Sequence, residues 1–148
     1  MLLQLIMAYM ASLSFAFIFN LNKRTAFLSA IGGSIGWLFY SQSLIFFHDS
    51  NIAYLLGAVS LSYYAEIMAR KTRTPVTSYI TPALIPLVPG SGLYRTMLES
   101  IEGNYSEALH EGITTILASG ALAIGILMVF TLIKIYYLIK RSLTHEAN

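Results

Sequence analysis

The sequence contains no cysteine and few charged residues. With 0 Cys among 148 residues, a disulfide framework and a cysteine-based metal site are both excluded. Only 11% of the residues are charged, whereas an ordinary soluble domain carries about 25%. Hydrophobic residues make up 56% of the chain. This shortage of charge indicates a protein that lies mostly in a membrane.

Sequence patterns typical of enzymes and of nucleic-acid-binding proteins are also missing. No phosphate-binding loop, dinucleotide-binding pattern, kinase pattern or nucleophile elbow is present. His110-Glu111 lacks a second histidine at helical spacing, so no zinc-protease motif exists and no metal site is expected. The basic residues are too few and too close to the apolar runs to suggest a nucleic-acid partner. We expect a protein that is not an enzyme and needs no cofactor.

Five apolar runs are each long enough to cross the hydrocarbon core, which requires about 20 residues of helix. They predict an all-α integral membrane protein whose single transmembrane domain covers residues 1–148. Lys23 and Arg24 follow the first run, whereas a secretory signal carries its positive charge before the apolar stretch. We therefore interpret the first run as a retained span. The predicted spans are about 2–19, 25–47, 52–69, 76–98, which Pro and Gly break, and 106–139.

The distribution of basic residues predicts the orientation of these spans. Cytoplasmic loops are enriched in Lys and Arg. With five crossings and an outer N-terminus, all 9 Lys and Arg except Arg95 fall on the cytoplasmic side; they are Lys23, Arg24, Arg70, Lys71, Arg73, Lys134, Lys140 and Arg141. If residues 76–103 instead dip in and return, the last span runs the other way and its basic residues lie outside. We favour the full crossing, with a cytoplasmic C-terminus in the plasma membrane.

The segment 81–97 carries the strongest functional signal. Its three prolines remove backbone donors, and its two glycines permit backbone angles that other residues avoid. Such a backbone persists at membrane depth only where protein buries it or where it lines a wet cavity, as in the broken helices of transporters. The residues predicted to bind a substrate, with Arg95 holding an anionic group, are Pro86, Pro89, Gly90, Ser91, Gly92, Tyr94 and Arg95. In the alternative interpretation, the prolines end a span and Arg95 sits among lipid headgroups.

Glu66 is a second candidate, because an ionisable group within a span suggests a function by default. It is predicted to couple transport to an ion. Arg70 follows four residues later on the same helix face, so a purely structural ion pair is the alternative.

Small residues within the predicted spans favour close helix packing. Gly32 and Gly36 have the four-residue spacing of a helix-packing motif, and Gly120 and Gly125 lie in the last span. We expect these four glycines to serve packing alone.

The chain resembles the small membrane subunit of the threonine/serine exporter family, the YjjB-like proteins. The resemblance covers nearly the whole chain. It is carried by Gly33-Ser34-Ile35-Gly36-Trp37 and, above all, by Ile85-Pro86-Leu87-Val88-Pro89-Gly90 followed by Tyr94-Arg95. One departure is Pro82-Ala83, where many relatives have Pro-Gly. The resemblance implies a larger YjjP-like partner subunit and export of threonine and serine, or of succinate, driven by an ion gradient.

These observations together predict the small subunit of a two-component secondary exporter of small hydrophilic metabolites, with threonine and serine as the expected substrates. A subunit of a succinate or dicarboxylate exporter is one alternative. A membrane scaffold or assembly subunit without its own transport path is another, and it predicts that the region around Pro89 and Arg95 tolerates substitution. Besides the larger subunit, we expect contacts with membrane lipid and a possible homo-oligomer.

Overall fold

The computed structural model describes residues 1–146, with side chains as far as residue 140, and this part of the chain is all-helical as predicted. Three helices are long and apolar enough to cross a membrane, namely Lys23–Phe47, Ser50–Thr72 and Tyr105–Lys140, and Leu2–Ile18 is a shorter apolar helix. The six α-helices are α1 (Leu2–Ile18), α2 (Lys23–Phe47), α3 (Ser50–Thr72), α4 (Thr77–Leu84), α5 (Gly90–Glu102) and α6 (Tyr105–Glu146), with a 3₁₀ turn, Ile85–Leu87, between α4 and α5.

Polar turns set the ends of the central helices. The Asn22 side chain accepts a hydrogen bond from the Thr25 backbone N–H (2.9 Å) and so caps α2. The Asp49 carboxylate caps α3 in the same way by accepting from the N–H groups of Asn51 and Ile52. α2 ends at His48 in the left-handed conformation, which is a common helix terminator. These caps satisfy amides that apolar surroundings would leave without partners.

Glycines let α2 and α3 pack closely as an antiparallel pair. A Cβ atom at Gly36 would lie 3.1 Å from the Leu61 Cβ, and a Cβ at Gly32 would lie 3.1 Å from the Tyr64 ring. Gly57 of α3 faces the Gly36 carbonyl oxygen, 3.1 Å from where its own Cβ would stand. The backbones therefore approach at several levels, as small residues allow.

The two glycines of α6 have different surroundings. A Cβ at Gly125 would lie 2.8 Å from both the Ala58 Cβ and the Leu55 carbonyl oxygen, so this glycine marks a close approach of α6 to α3. Nothing lies within 4 Å of the corresponding point at Gly120. Among the described residues, Gly120 makes no close helix contact.

The short helix α4 is held in the interior of the bundle. Tyr79, Ala83 and Leu87 are each 1% exposed, and Pro82 is fully buried inside α4. The Ser29 hydroxyl of α2 donates a hydrogen bond to the Tyr79 carbonyl oxygen (2.8 Å). One face of the first part of the proline-rich segment is therefore buried by protein, whereas Thr81 and Val88 are exposed.

The contacts between helices fix their directions. Gly125 meets Leu55 and Ala58, and Tyr137 lies under the Arg70 guanidinium, so α6 runs parallel to α3. α4 runs parallel to α2, because successive α4 residues meet successive α2 residues. The basic residues that begin α2, end α3 and lie late in α6 thus share one end of the bundle. Arg141 belongs to that set in sequence, but its side chain lies outside the described residues.

Candidate functional site

A cavity of about 200 Å³ lies at the end of the bundle where α2 ends and α3 begins. We call it the α5 cavity, because the first turns of α5 form one wall. α2, α3 and α6 supply the other walls. Its lining residues are Tyr40, Ser50, Tyr54, Pro89, Ser91, Gly92, Arg95, Glu111, Thr114, Thr115 and Ala118.

The wall formed by α5 results from the irregular backbone before it. After the 3₁₀ turn, Val88 is extended (φ −63°, ψ 128°), and Pro89 precedes the first helical residue, Gly90. The Gly90 N–H donates to the Val88 carbonyl oxygen (2.7 Å). The chain thereby leaves the buried path of α4 and starts a new helix at the cavity. The first amides of that helix have no partner within the helix.

Gly92 allows α5 to lie against α6 at this point. A Cβ atom at Gly92 would overlap the Thr115 hydroxyl, and it would also lie 3.2 Å from the Thr115 Cβ. The Thr115 hydroxyl itself donates to the Glu111 carbonyl oxygen (2.7 Å), and Thr115 is only 5% exposed. No side chain fits between the two helices there, so Gly92 is required by the local packing.

Arg95 of α5 and Glu111 of α6 lie next to each other in the lining of the α5 cavity. The Arg95 Nη1 and Glu111 Oε1 atoms are 3.7 Å apart, and the side chains are 65% and 30% exposed. Charge-assisted hydrogen bonds are ordinarily about 2.7–2.9 Å long, so this is a loose ion pair. Exposed pairs of this kind contribute little to stability. The Arg95 guanidinium and the Glu111 carboxylate therefore remain available to bind a polar ligand.

Tyrosines from α2 and α3 form the opposite wall. The Tyr40 and Tyr54 rings have centroids 4.7 Å apart, and Trp37 lies next to Tyr40 at 5.3 Å. Aromatic rings at such distances make favourable offset or edge contacts. These ring contacts hold Tyr40 and Tyr54, two of the lining residues, against each other.

The structure brings four of the seven predicted substrate residues to the α5 cavity: Pro89, Ser91, Gly92 and Arg95. Pro86 instead lines a separate, apolar cavity of about 290 Å³ beside Trp37 and Gln4. Gly90 has open space around it, and Tyr94 is 66% exposed. Neither of these two residues lines the α5 cavity.

Glu111, Tyr40 and Tyr54 are cavity residues that the sequence did not single out. The sequence did contain a pattern that could have predicted that Glu111 lies near Arg95. Gly103 takes the left-handed conformation (φ 83°) at the turn between α5 and α6, and Arg95 and Glu111 lie equally far from it in sequence. A helical hairpin centred on Gly103 would have predicted their pairing.

Glu66 lies far along α3, towards the basic end of the bundle. Its carboxylate is 3.1 Å from the Arg70 guanidinium, which also lies 3.9 Å from the centroid of the Tyr137 ring. These groups line a further cavity of about 550 Å³ between α3 and α6. The ion pair expected from the sequence spacing is present, and the cavity beside it leaves Glu66 partly accessible.

The side chains described by the structure include no group of three or more His, Cys, Asp or Glu residues that could hold a metal ion. The polar residues that line the α5 cavity are the Arg95–Glu111 ion pair and residues with hydroxyl side chains, namely Tyr40, Ser50, Tyr54, Ser91, Thr114 and Thr115.

Comparison with known proteins identifies the family. The sequence pattern of the family described as Threonine/Serine exporter, ThrE, matches residues 4–132. No curated protein and no solved structure matches the chain. The family match covers most of the chain and confirms the resemblance drawn from the proline-rich segment. The chain belongs to the threonine/serine exporter (ThrE) family.

Proposed function

We propose that this membrane protein is the small subunit of a two-component secondary exporter and that its substrate path passes the α5 cavity. The observation that carries the proposal is the placement of Ser91, Gly92 and Arg95 in one polar cavity. They lie in the first turns of α5, directly after the irregular backbone at Val88 and Pro89. Backbone that leaves regular helix near membrane depth persists where it lines a cavity, and transporters place substrates at such points.

Threonine and serine are the proposed substrates. The family description names them. The α5 cavity is small and offers Arg95 for a carboxylate, whose planar geometry a guanidinium matches. Ser91, Tyr40 and Tyr54, whose side chains carry hydroxyl groups, are also among the residues that line it. A dicarboxylate such as succinate is the second candidate, because Arg95 would also accept one of its carboxylates.

We further propose five crossings, with the N-terminus outside and the C-terminus in the cytoplasm. The parallel course of α3 and α6 supports a full crossing by α4 and α5 together, since a re-entrant segment would reverse α6. The shared position of the basic residues at one bundle end supports the orientation through the positive-inside rule.

A larger YjjP-like membrane subunit is the proposed partner. Within the part of the chain that the structure describes, α5 packs on α6 alone. It exposes Leu93, Tyr94, Met97 and Ile101. Arg95, which lines the α5 cavity, is itself 65% exposed. Contacts from a second subunit would close the cavity, whereas a scaffold without a transport path would need no polar cavity.

For Glu66 we propose a role in ion coupling. Its carboxylate borders the cavity between α3 and α6 and forms an ion pair with Arg70. An ionisable side chain within a span is a frequent element of proton relays.

The test is efflux from cells that contain this chain together with its larger subunit. Labelled threonine, serine and succinate are loaded, and their loss is compared with cells that contain either subunit alone. We expect threonine and serine efflux only with both subunits. We also expect Arg95→Ala to abolish it and Glu107→Gln, on the exposed face of α6, to leave it unchanged. The proposal would be contradicted if cells with both subunits and cells with one subunit show equal efflux, once insertion of each expressed subunit into the membrane has been verified.

A further inference from the structure

The charges of the α5 cavity distinguish between its two candidate substrate classes. Arg95 and Glu111 are the two charged residues among those lining it. They come from different helices and face the same space, 3.7 Å apart. The lining therefore presents one positive and one negative group side by side, with no net charge.

We propose that Glu111 binds the substrate ammonium group while Arg95 binds the carboxylate, so that the cavity selects zwitterionic α-amino acids over dicarboxylates. An α-amino acid carries its ammonium and carboxylate on one carbon atom, which matches two opposite charges that lie close together. This assignment rests on the proposed export function and adds to it a residue that determines specificity.

The loose contact between Arg95 and Glu111 is what this role requires. A tightly bonded pair would have to be broken before a guest could enter. Here the separation exceeds that of a charge-assisted hydrogen bond, and both side chains are partly exposed. Insertion of a zwitterion between them replaces one weak ion pair by two, at little energetic cost.

A dicarboxylate should bind less well in this cavity. Its first carboxylate would pair with Arg95, but the second would lie near the Glu111 carboxylate, and like charges at short distance repel. The other lining residues are uncharged and offer no second cation. Glu111 thus attracts the ammonium group of an amino acid and repels the second carboxylate of a dicarboxylate. Binding sites commonly achieve specificity by combining such attraction and repulsion.

The position of Glu111 is well defined. The Thr115 hydroxyl bonds to its carbonyl oxygen (2.7 Å), and Thr115 is buried beneath Gly92. This close packing of α5 on α6 fixes the distance between the helix positions that carry Arg95 and Glu111. Glu107, one turn earlier on α6, is exposed and does not line the cavity, so it is the matched control.

The experiment compares the ratio of threonine efflux to succinate efflux in the two-subunit complex. Loss of a hydrogen bond to a charged group lowers binding about tenfold or more. Glu111→Gln should therefore lower the threonine-to-succinate ratio by about tenfold. Glu107→Gln should not change it, and Glu111→Asp, which keeps the charge, should retain most of the preference. An equal loss for both substrates in Glu111→Gln would mean a merely structural pair and would overturn the assignment.

A second measurement uses the wild-type complex and does not depend on the folding of a variant. Unlabelled 3-hydroxybutyrate, which keeps the carboxylate and the hydroxyl of threonine but lacks the ammonium, competes against labelled threonine. We expect it to compete at least about tenfold less well than threonine itself; equal competition overturns the assignment. If the wild-type complex exports neither substrate, the proposed function fails. If it exports threonine with an unchanged preference in Glu111→Gln, only the assignment of Glu111 fails.

Discussion

Replacement of Gly92 by alanine should loosen the contact between α5 and α6 on which the α5 cavity depends. The added methyl group would overlap the Thr115 hydroxyl and crowd the Thr115 Cγ2 at 3.3 Å. Thr115 is buried, and its hydroxyl is bonded to the Glu111 carbonyl oxygen. Relief therefore requires either loss of that hydrogen bond or movement of α5 away from α6.

The magnitude follows from a comparison with Gly90, two residues earlier at the start of the same helix. A Cβ at Gly90 meets nothing within 4 Å. Both substitutions bring a similar gain in helix propensity, up to about 1 kcal/mol. Overpacking of a well-filled contact costs about 1–3 kcal/mol. The free energy of unfolding should thus be about 1–3 kcal/mol lower for Gly92→Ala than for Gly90→Ala.

The assay is unfolding of the purified chain in mixed micelles of increasing SDS content, followed by helical circular dichroism. The double variant Gly92→Ala with Thr115→Ala should recover part of the lost stability, because it removes the overlapping hydroxyl. Threonine efflux should fall in Gly92→Ala and stay near wild type in Gly90→Ala. Equal stability of the two single variants, or no recovery in the double variant, would refute the packing argument.

Two further predictions concern other parts of the bundle. Ser29→Ala removes the hydrogen bond to the buried Tyr79 carbonyl oxygen and should lower the free energy of unfolding by about 1 kcal/mol; Ser14→Ala, whose bond to the Met10 carbonyl oxygen is exposed, should have a smaller effect in the same SDS titration. Glu66→Gln should flatten the pH dependence of threonine efflux if Glu66 couples transport to protons. A profile identical to that of the wild type would leave Glu66 as no more than the ion-pair partner of Arg70.

Much of the fold follows from the chemistry of the sequence. The apolar runs predicted long helices near 25–47 and 52–69, and the structure has α2 and α3 at Lys23–Phe47 and Ser50–Thr72. Polar residues with capping ability, Asn22 and Asp49, stand at the starts of these helices. Local composition is sufficient here because an apolar run and its cap are both properties of neighbouring residues.

Only some of the residues that line the α5 cavity could be predicted from the sequence. Proline and glycine chemistry pointed to Ser91, Gly92 and Arg95, all of which lie close together along the chain. Glu111 belongs to another helix, and its meeting with Arg95 depends on how α5 folds back on α6. Pro86 was grouped with the cavity by its sequence neighbourhood, but the 3₁₀ turn places it beside Trp37 instead.

Substrate protection of a single cysteine tests most directly whether the proline- and glycine-containing segment lines a substrate path. The sequence has 0 Cys, so Ser91→Cys and Glu107→Cys each give this chain a single thiol. Each variant is labelled in the two-subunit complex with a small hydrophilic thiol reagent, and the label is read on this chain after the subunits are separated. We predict that threonine slows labelling in Ser91→Cys, inside the α5 cavity, and leaves labelling in Glu107→Cys, outside it, unchanged. Labelling of Ser91→Cys at the same rate with and without saturating threonine would contradict the account.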